Sequence, residues 1–212
     1  MPLITELSWL PFKPGTESSD AATALKDLGP QLASQPGLEG HWRGAPLERP
    51  NSLEFVNVWN SEQAYQTSQS SPLHSEATAL IQQLVDTSNP LIKPYHNAVP
   101  FDKPFAEVAV APLVQLSSFF LPADVNRSAF EAAFKNVLAP LYANPPEGFV
   151  TGTNGWALET VNGAAVFVAA SGWESLEKRL EAHERVKGTF GEVEAFTKVV
   201  EVHHTSFQKG GA

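Results

Sequence analysis

Six histidines and three tyrosines are the side chains of this sequence best suited to proton chemistry, because it contains no cysteine. Without thiols there are no disulfides, thiolate metal sites, iron-sulfur clusters or cysteine nucleophiles. An imidazole gives and takes a proton near neutral pH. His74 closes the segment Ser71-Pro72-Leu73-His74, where the proline interrupts a helical stretch. Tyr65 lies nine residues earlier, about 180° around an unbroken helix at about 100° per residue, and a break at Pro72 relaxes that separation. His203 and His204 are neighbours on an expected strand, so their side chains take opposite faces and one of them can reach a cavity. His96 occupies an expected closing strand of its own. His41 sits in Glu39-Gly40-His41-Trp42-Arg43, a charged alternation that reads as a solvated strand face. His183, between Glu181 and Glu184, reads as exposed.

Several chemistries are excluded or unsupported. No three converging ligands can be named, so no metal site is expected. There is no phosphate loop, dinucleotide fingerprint or nucleophile elbow. With 14 basic against 23 acidic residues, the net charge is −9, which disfavours polyphosphate and anionic membrane surfaces. The stretch from Val108 to Val114 is too short to span a bilayer. A cytoplasmic protein that binds neither nucleic acid nor membrane is the expectation.

The elements that must position these residues occur twice. Residues 3 to 12 read as a strand ending at Leu10-Pro11, and residues 113 to 122 repeat that design, ending at Leu121-Pro122. Ser19 and Asp20 can cap a helix carrying Ala21, Ala24, Leu25, Leu28 and Leu32. Its counterpart, capped by Asn126 or Ser128, carries Phe130, Phe134, Val137, Leu138 and Leu141. Pro36-Gly37-Leu38 and Pro146-Glu147-Gly148-Phe149 open short strands. The runs Leu53 to Trp59 and Ala164 to Trp173 each end in tryptophan before a helix, over about 61–86 and 174–196. Closing strands follow, with His96 aligned to His204.

Each half is therefore β-α-β-β-α-β, the ferredoxin-like order, with matched landmarks about 110 residues apart. The expected fold class is α+β: two units, 1–102 and 103–212, packed through their bare sheet faces within one chain, with residues 94–112 as connector. On strand 53–59, Leu53, Phe55 and Trp59 share one face, and Val56 and Val58 the other.

On these motifs the sequence resembles the dimeric α+β-barrel superfamily, which includes antibiotic-biosynthesis-monooxygenase-like and polyketide-cyclase-like proteins. The segments Val58-Trp59-Asn60-Ser61-Glu62-Gln63-Ala64-Tyr65 and Ser71-Pro72-Leu73-His74 carry the resemblance. Trp173-Glu174-Ser175-Leu176-Glu177 with Ala182-His183 is a partial second copy. The resemblance implies a cofactor-independent enzyme acting on a small hydrophobic, polyketide-derived phenolic molecule. It gives His74 the role of proton-abstracting base, with Tyr65 or a closing-strand histidine as orienting donor. Phe55 and Trp59 would form the wall, and His96 and His204 would line a cavity inside the barrel. Ser71 stands where the cyclase-type motif has its earlier histidine. The haem-degrading Asn, Trp and His set is not identifiable, so neither haem nor metal is implied. The alternative is a non-catalytic ligand-binding or stress-responsive barrel. With both halves in one chain, a monomer or a further homodimer would suffice.

Overall fold

The computed structural model describes residues 2–16, 21, 23, 25, 28–86 and 95–210. The expected caps Ser19 and Asp20, and residues 91–94 of the expected closing strand, lie outside them. The first half contains β1 (Ile4–Pro11), α1 (Leu28–Ala33), β2 (Leu38–Gly44), β3 (Ser52–Trp59), α2 (Glu62–Gln69), α3 (Pro72–Leu84) and β4 (Tyr95–Val99). A short helix, α4 (Phe105–Ala109), leads to β5 (Leu113–Pro122), α5 (Arg127–Ala143), β6 (Phe149–Trp156) and β7 (Ala164–Trp173). The chain continues through α6 (Leu176–Val186), α7 (Gly191–Glu194), β8 (Val199–Thr205) and β9 (Gln208–Lys209).

Two antiparallel sheets result, with orders β4-β1-β3-β2-β9 and β6-β7-β5-β8. Apart from β9 the two orders are the same, as a duplicated ferredoxin-like unit requires. The local devices repeat as well. Gly37 and Gly148, with φ of 87° and 79°, make the turns into β2 and β6, a backbone region that favours glycine. Their carbonyls accept the N–H groups of Asn60 and Glu174, each at 2.8 Å. The next residues, Ser61 and Ser175, cap α2 and α6 through their hydroxyls. These short-range signals recur because they are encoded over a few neighbouring residues.

The sheets face each other and close into a barrel filled by side chains from both: Leu7, Trp9, Val56 and Val58 from one, and Leu116 and Val168 from the other. Each such burial contributes roughly 1.5–3 kcal/mol. Separation of the halves would return all of them to water, so the sheets stabilise one another. Helix α4 adds Phe105 and Val108 to the same core, so the expected connector is part of the barrel wall. The seams are hydrogen-bonded at both edges. Leu158 N–H donates to the Ala98 carbonyl at 2.8 Å, and Leu47 N–H to the His204 carbonyl at 2.8 Å. No described helix is long and apolar enough to cross a membrane.

Candidate functional site

Among the described residues, side chains from both sheets fill the space in which the sequence suggests a shared cavity. A pocket of about 350 Å³ formed by described residues lies on the outer face of the first sheet, under α1, α2 and α3. Strand alternation decides which residues reach it. On β3, Val56 and Val58 turn into the barrel while Phe55, Asn57 and Trp59 turn outward to the pocket. On β1, Glu6, Ser8 and Leu10 take the pocket side, and on β2, His41 and Arg43 do. Leu73, His74 and Ile81 of α3 form the opposite wall.

The pocket floor carries a row of three buried polar side chains from three adjacent strands. Asn57 pairs with His41 across β3 and β2 and with Glu6 across β3 and β1, so all three point to the same side. Asn57 Nδ2 donates to Glu6 Oε2 at 2.9 Å. That turns Asn57 Oδ1 towards His41 Nδ1, 2.7 Å away. Nδ1 therefore carries the proton, which leaves the lone pair on Nε2. The same Glu6 carboxylate accepts from Trp59 Nε1 at 2.8 Å and from Gln69 Nε2 at 3.1 Å. The His41 ring also stacks on Phe55, with centroids 5.9 Å apart.

Burial is the main influence holding His41 below the usual imidazole pKa, and Arg43 acts in the same direction. The Asn57 hydrogen bond and the Glu6 charge oppose it. The result is a neutral, oriented imidazole beside an apolar pocket, which is the state a proton acceptor needs. The charged-face reading of β2 holds for Glu39 and Arg43, which are exposed, but His41 is only 8% exposed. A glutamate among Ile4, Leu7 and Trp9 and an asparagine between Val56 and Val58 were the available signals: polar residues on strands covered on both faces.

Of the residues singled out from sequence, Phe55, Trp59 and His74 line this pocket. Ser71 caps α3 by accepting His74 N–H at 3.1 Å, which places His74 in the first turn of that helix. Tyr65 does not reach the pocket. It is buried against Ile4, Trp59 and Ala98, and its hydroxyl donates to Glu159 Oε1 at 2.9 Å. Burial, reinforced by Glu159, drives its pKa well above the usual phenol value. The bond runs between the two halves, and Glu159 Oε2 also accepts Ala98 N–H at 3.2 Å.

The closing-strand histidines take other places. His203 points into the barrel, its Nε2 2.5 Å from Glu54 Oε1, and His204 points to the other face, with Nδ1 against the Glu48 carboxylate. Neither is in the first pocket. His96 is described by its backbone alone, which pairs with Ser8. Register makes Ala98, opposite Glu6, the counterpart of His204, opposite Gln115, so the alignment of His96 with His204 is out by two residues. Among the described residues no cluster of three or more His, Asp or Glu is placed to hold a metal ion. Among the described side chains, the imidazoles that reach the pocket are His41 and His74.

No family model and no curated protein matches this sequence. Solved structures do. An anthrone oxidase-like protein matches with a TM-score of 0.73 at 11% identity, over 100% of this chain and 95% of its own. A candidate monooxygenase from Fusobacterium nucleatum gives 0.65 at 11% identity, over 99% and 94%. One from Lactobacillus acidophilus gives 0.60 at 12%, over 100% and 95%. Near-complete coverage on both sides means that the likeness extends to the whole tandem arrangement.

Proposed function

We propose that this tandem, dimeric-type α+β barrel is an oxygenase-like enzyme for a small, hydrophobic, phenol-bearing aromatic substrate, working in the first-half pocket with His41 as base. The observation that carries this reading is the Glu6–Asn57–His41 row, a neutral imidazole oriented by a buried amide and carboxylate at the floor of an otherwise largely apolar cavity. The names of the structural neighbours, monooxygenase and anthrone oxidase-like, support the reaction class.

In this reading the substrate lies flat between Phe55 and Trp59 on the sheet and Leu73 and Ile81 on α3. Its acidic C–H, on a methylene flanked by aromatic rings, faces His41 Nε2, which takes the proton. Asn57 Oδ1 and, behind it, Glu6 stabilise the imidazolium. Arg43 at the pocket supplies positive charge to the substrate anion. The carbon's electron pair then forms a bond to dioxygen, which is reduced to a hydroperoxide that takes up the proton. Loss of water, using the second methylene hydrogen, leaves a carbonyl. His74 faces the sheet from α3 and contacts the substrate rather than serving as base.

The test is oxygen uptake and quinone absorbance with an anthrone substrate. Turnover that survives in His41→Gln would remove His41 as base, and a complete loss in His74→Ala would move the base to α3. Tight binding without turnover in the wild-type chain would instead favour a ligand-binding barrel.

A further inference from the structure

β9 follows the second unit in sequence but pairs with the first unit's sheet. Trp42 pairs with Lys209 and Arg43 with Gln208, and the next residue, Gly210, donates its N–H to the His41 carbonyl at 2.8 Å. Gly210 thus extends the lateral row Glu6–Asn57–His41 by one strand. Residues opposite one another in an antiparallel pair turn to the same side, so a side chain at Gly210 would share the space of the His41 ring. That space is taken. A methyl group at Gly210 would run into His41 Cδ2 and come within 3.3 Å of Nε2. The segment is anchored just ahead of this contact. Phe207 packs edge-on to Phe105 of the barrel core at 5.7 Å, and Lys209 Nζ lies 5.9 Å from the Trp42 ring centre.

We propose that the C-terminal segment 207–210 is a strap that holds the His41 imidazole in its working orientation, with Gly210 as the positioning residue. The ring is bounded by Phe55, by Asn57 at Nδ1 and by Gly210 at the Cδ2–Nε2 edge, so its orientation depends on all three. The inference rests on the assignment of His41 as base, but its structural content stands apart from turnover. The second unit, whose sheet carries Gly152 where the first carries His41, would contribute to the first unit's site through this strap. Among the described residues, Glu6, Arg43 and His74 are the charged or titratable groups that share the pocket with His41.

The experiment is NMR of histidine-labelled full-length protein, with the His41 signal assigned from His41→Gln. Wild type should show one tautomer, protonated at Nδ1, titrating below the free-imidazole value of about 6.5. Gly210→Ala should lose the single-tautomer signature. A chain ending at Phe207, which removes the part of the strap that pairs with β2 without adding a clash, should move the His41 midpoint upward towards that value. Gln208→Ala, whose side chain is exposed, should match wild type. A wild-type tautomer and midpoint in both Gly210→Ala and the shortened chain would overturn the proposal. If Gly210→Ala fails to fold, the shortened chain decides it. If the NMR changes occur while His41→Gln still turns over, the strap stands and the assignment of His41 as base falls.

Discussion

The two halves share their fold and differ in what their equivalent pockets contain. In the first, the row across β1, β3 and β2 is Glu6, Asn57 and His41. The equivalent row across β5, β7 and β6 is Gln115, Ser171 and Gly152, so carboxylate becomes amide, amide becomes hydroxyl, and the imidazole is gone. The strand-end tryptophans present in both halves follow their surroundings. Trp59 donates to the Glu6 carboxylate, and Trp173 donates to Ser171 Oγ at 2.9 Å. The second pocket, at about 110 Å³, is under a third of the first. Beside it Phe119, Phe130, Phe134 and Phe167 pack, mostly edge to face, with ring centres 4.9–6.3 Å apart. Joining two units in one chain frees each from the other's requirements. One keeps polar groups around an open cavity, and the other trades its cavity for packing.

The sharpest way to break this contrast is to remove one histidine from each half. His41→Gln should lower the turnover rate by about 10²- to 10⁴-fold, the usual worth of a positioned base, whereas His183→Gln at the second pocket should leave it unchanged. Equal losses would mean two working sites. Stability should divide the other way. Phe130→Ala, at a side chain with no exposure, should cost about 3–5 kcal/mol in chemical denaturation. Phe55→Ala, on a half-buried pocket wall, should cost less and act mainly on KM. Comparable costs would argue that the first pocket is packed rather than open.

The pH dependence follows from His41. Its folded pKa lies below that of the unfolded chain, so its contribution to stability is complete above about 6.5. That contribution is lost as pH falls through the lowered value. The base-dependent rate should likewise hold below pH 6.5 before falling on the acid side, and the limb should vanish from residual activity in His41→Gln. A midpoint above 6.5 would contradict the buried, neutral imidazole. The smallest effect is expected at the seam. Tyr65→Phe removes the hydrogen bond to Glu159 and should cost about 0.5–1.5 kcal/mol with kcat unchanged. A large fall in kcat would return Tyr65 to the chemistry.

Much of the architecture was legible because it is written locally. The Leu-Pro strand ends, the turn glycines Gly37 and Gly148, the caps Ser61 and Ser175 and the strand-end tryptophans act over a few residues, and their recurrence exposes the duplication. Pro72 broke the second helix where expected, with Ser71 as cap. The site was less legible. Trp59, Phe55 and His74 could be placed from motif and alternation, but His41 read as solvated because strand alternation does not say which face a helix will cover. The Tyr65–Glu159 bond was not legible because the two residues lie 94 positions apart.

The sequence by itself determined two ferredoxin-like units, their mutual need for cover, and histidine as the available base, since these follow from composition, periodicity and short-range turn chemistry. Only the tertiary structure decided that the barrel centre is filled and the open pocket lies outside it. Only strand register could bring Glu6, His41 and Asn57 into one row and lay Gly210 against the imidazole. Those neighbours are separated by up to about 170 residues along the chain, and a sheet's lateral contacts have no counterpart in local sequence.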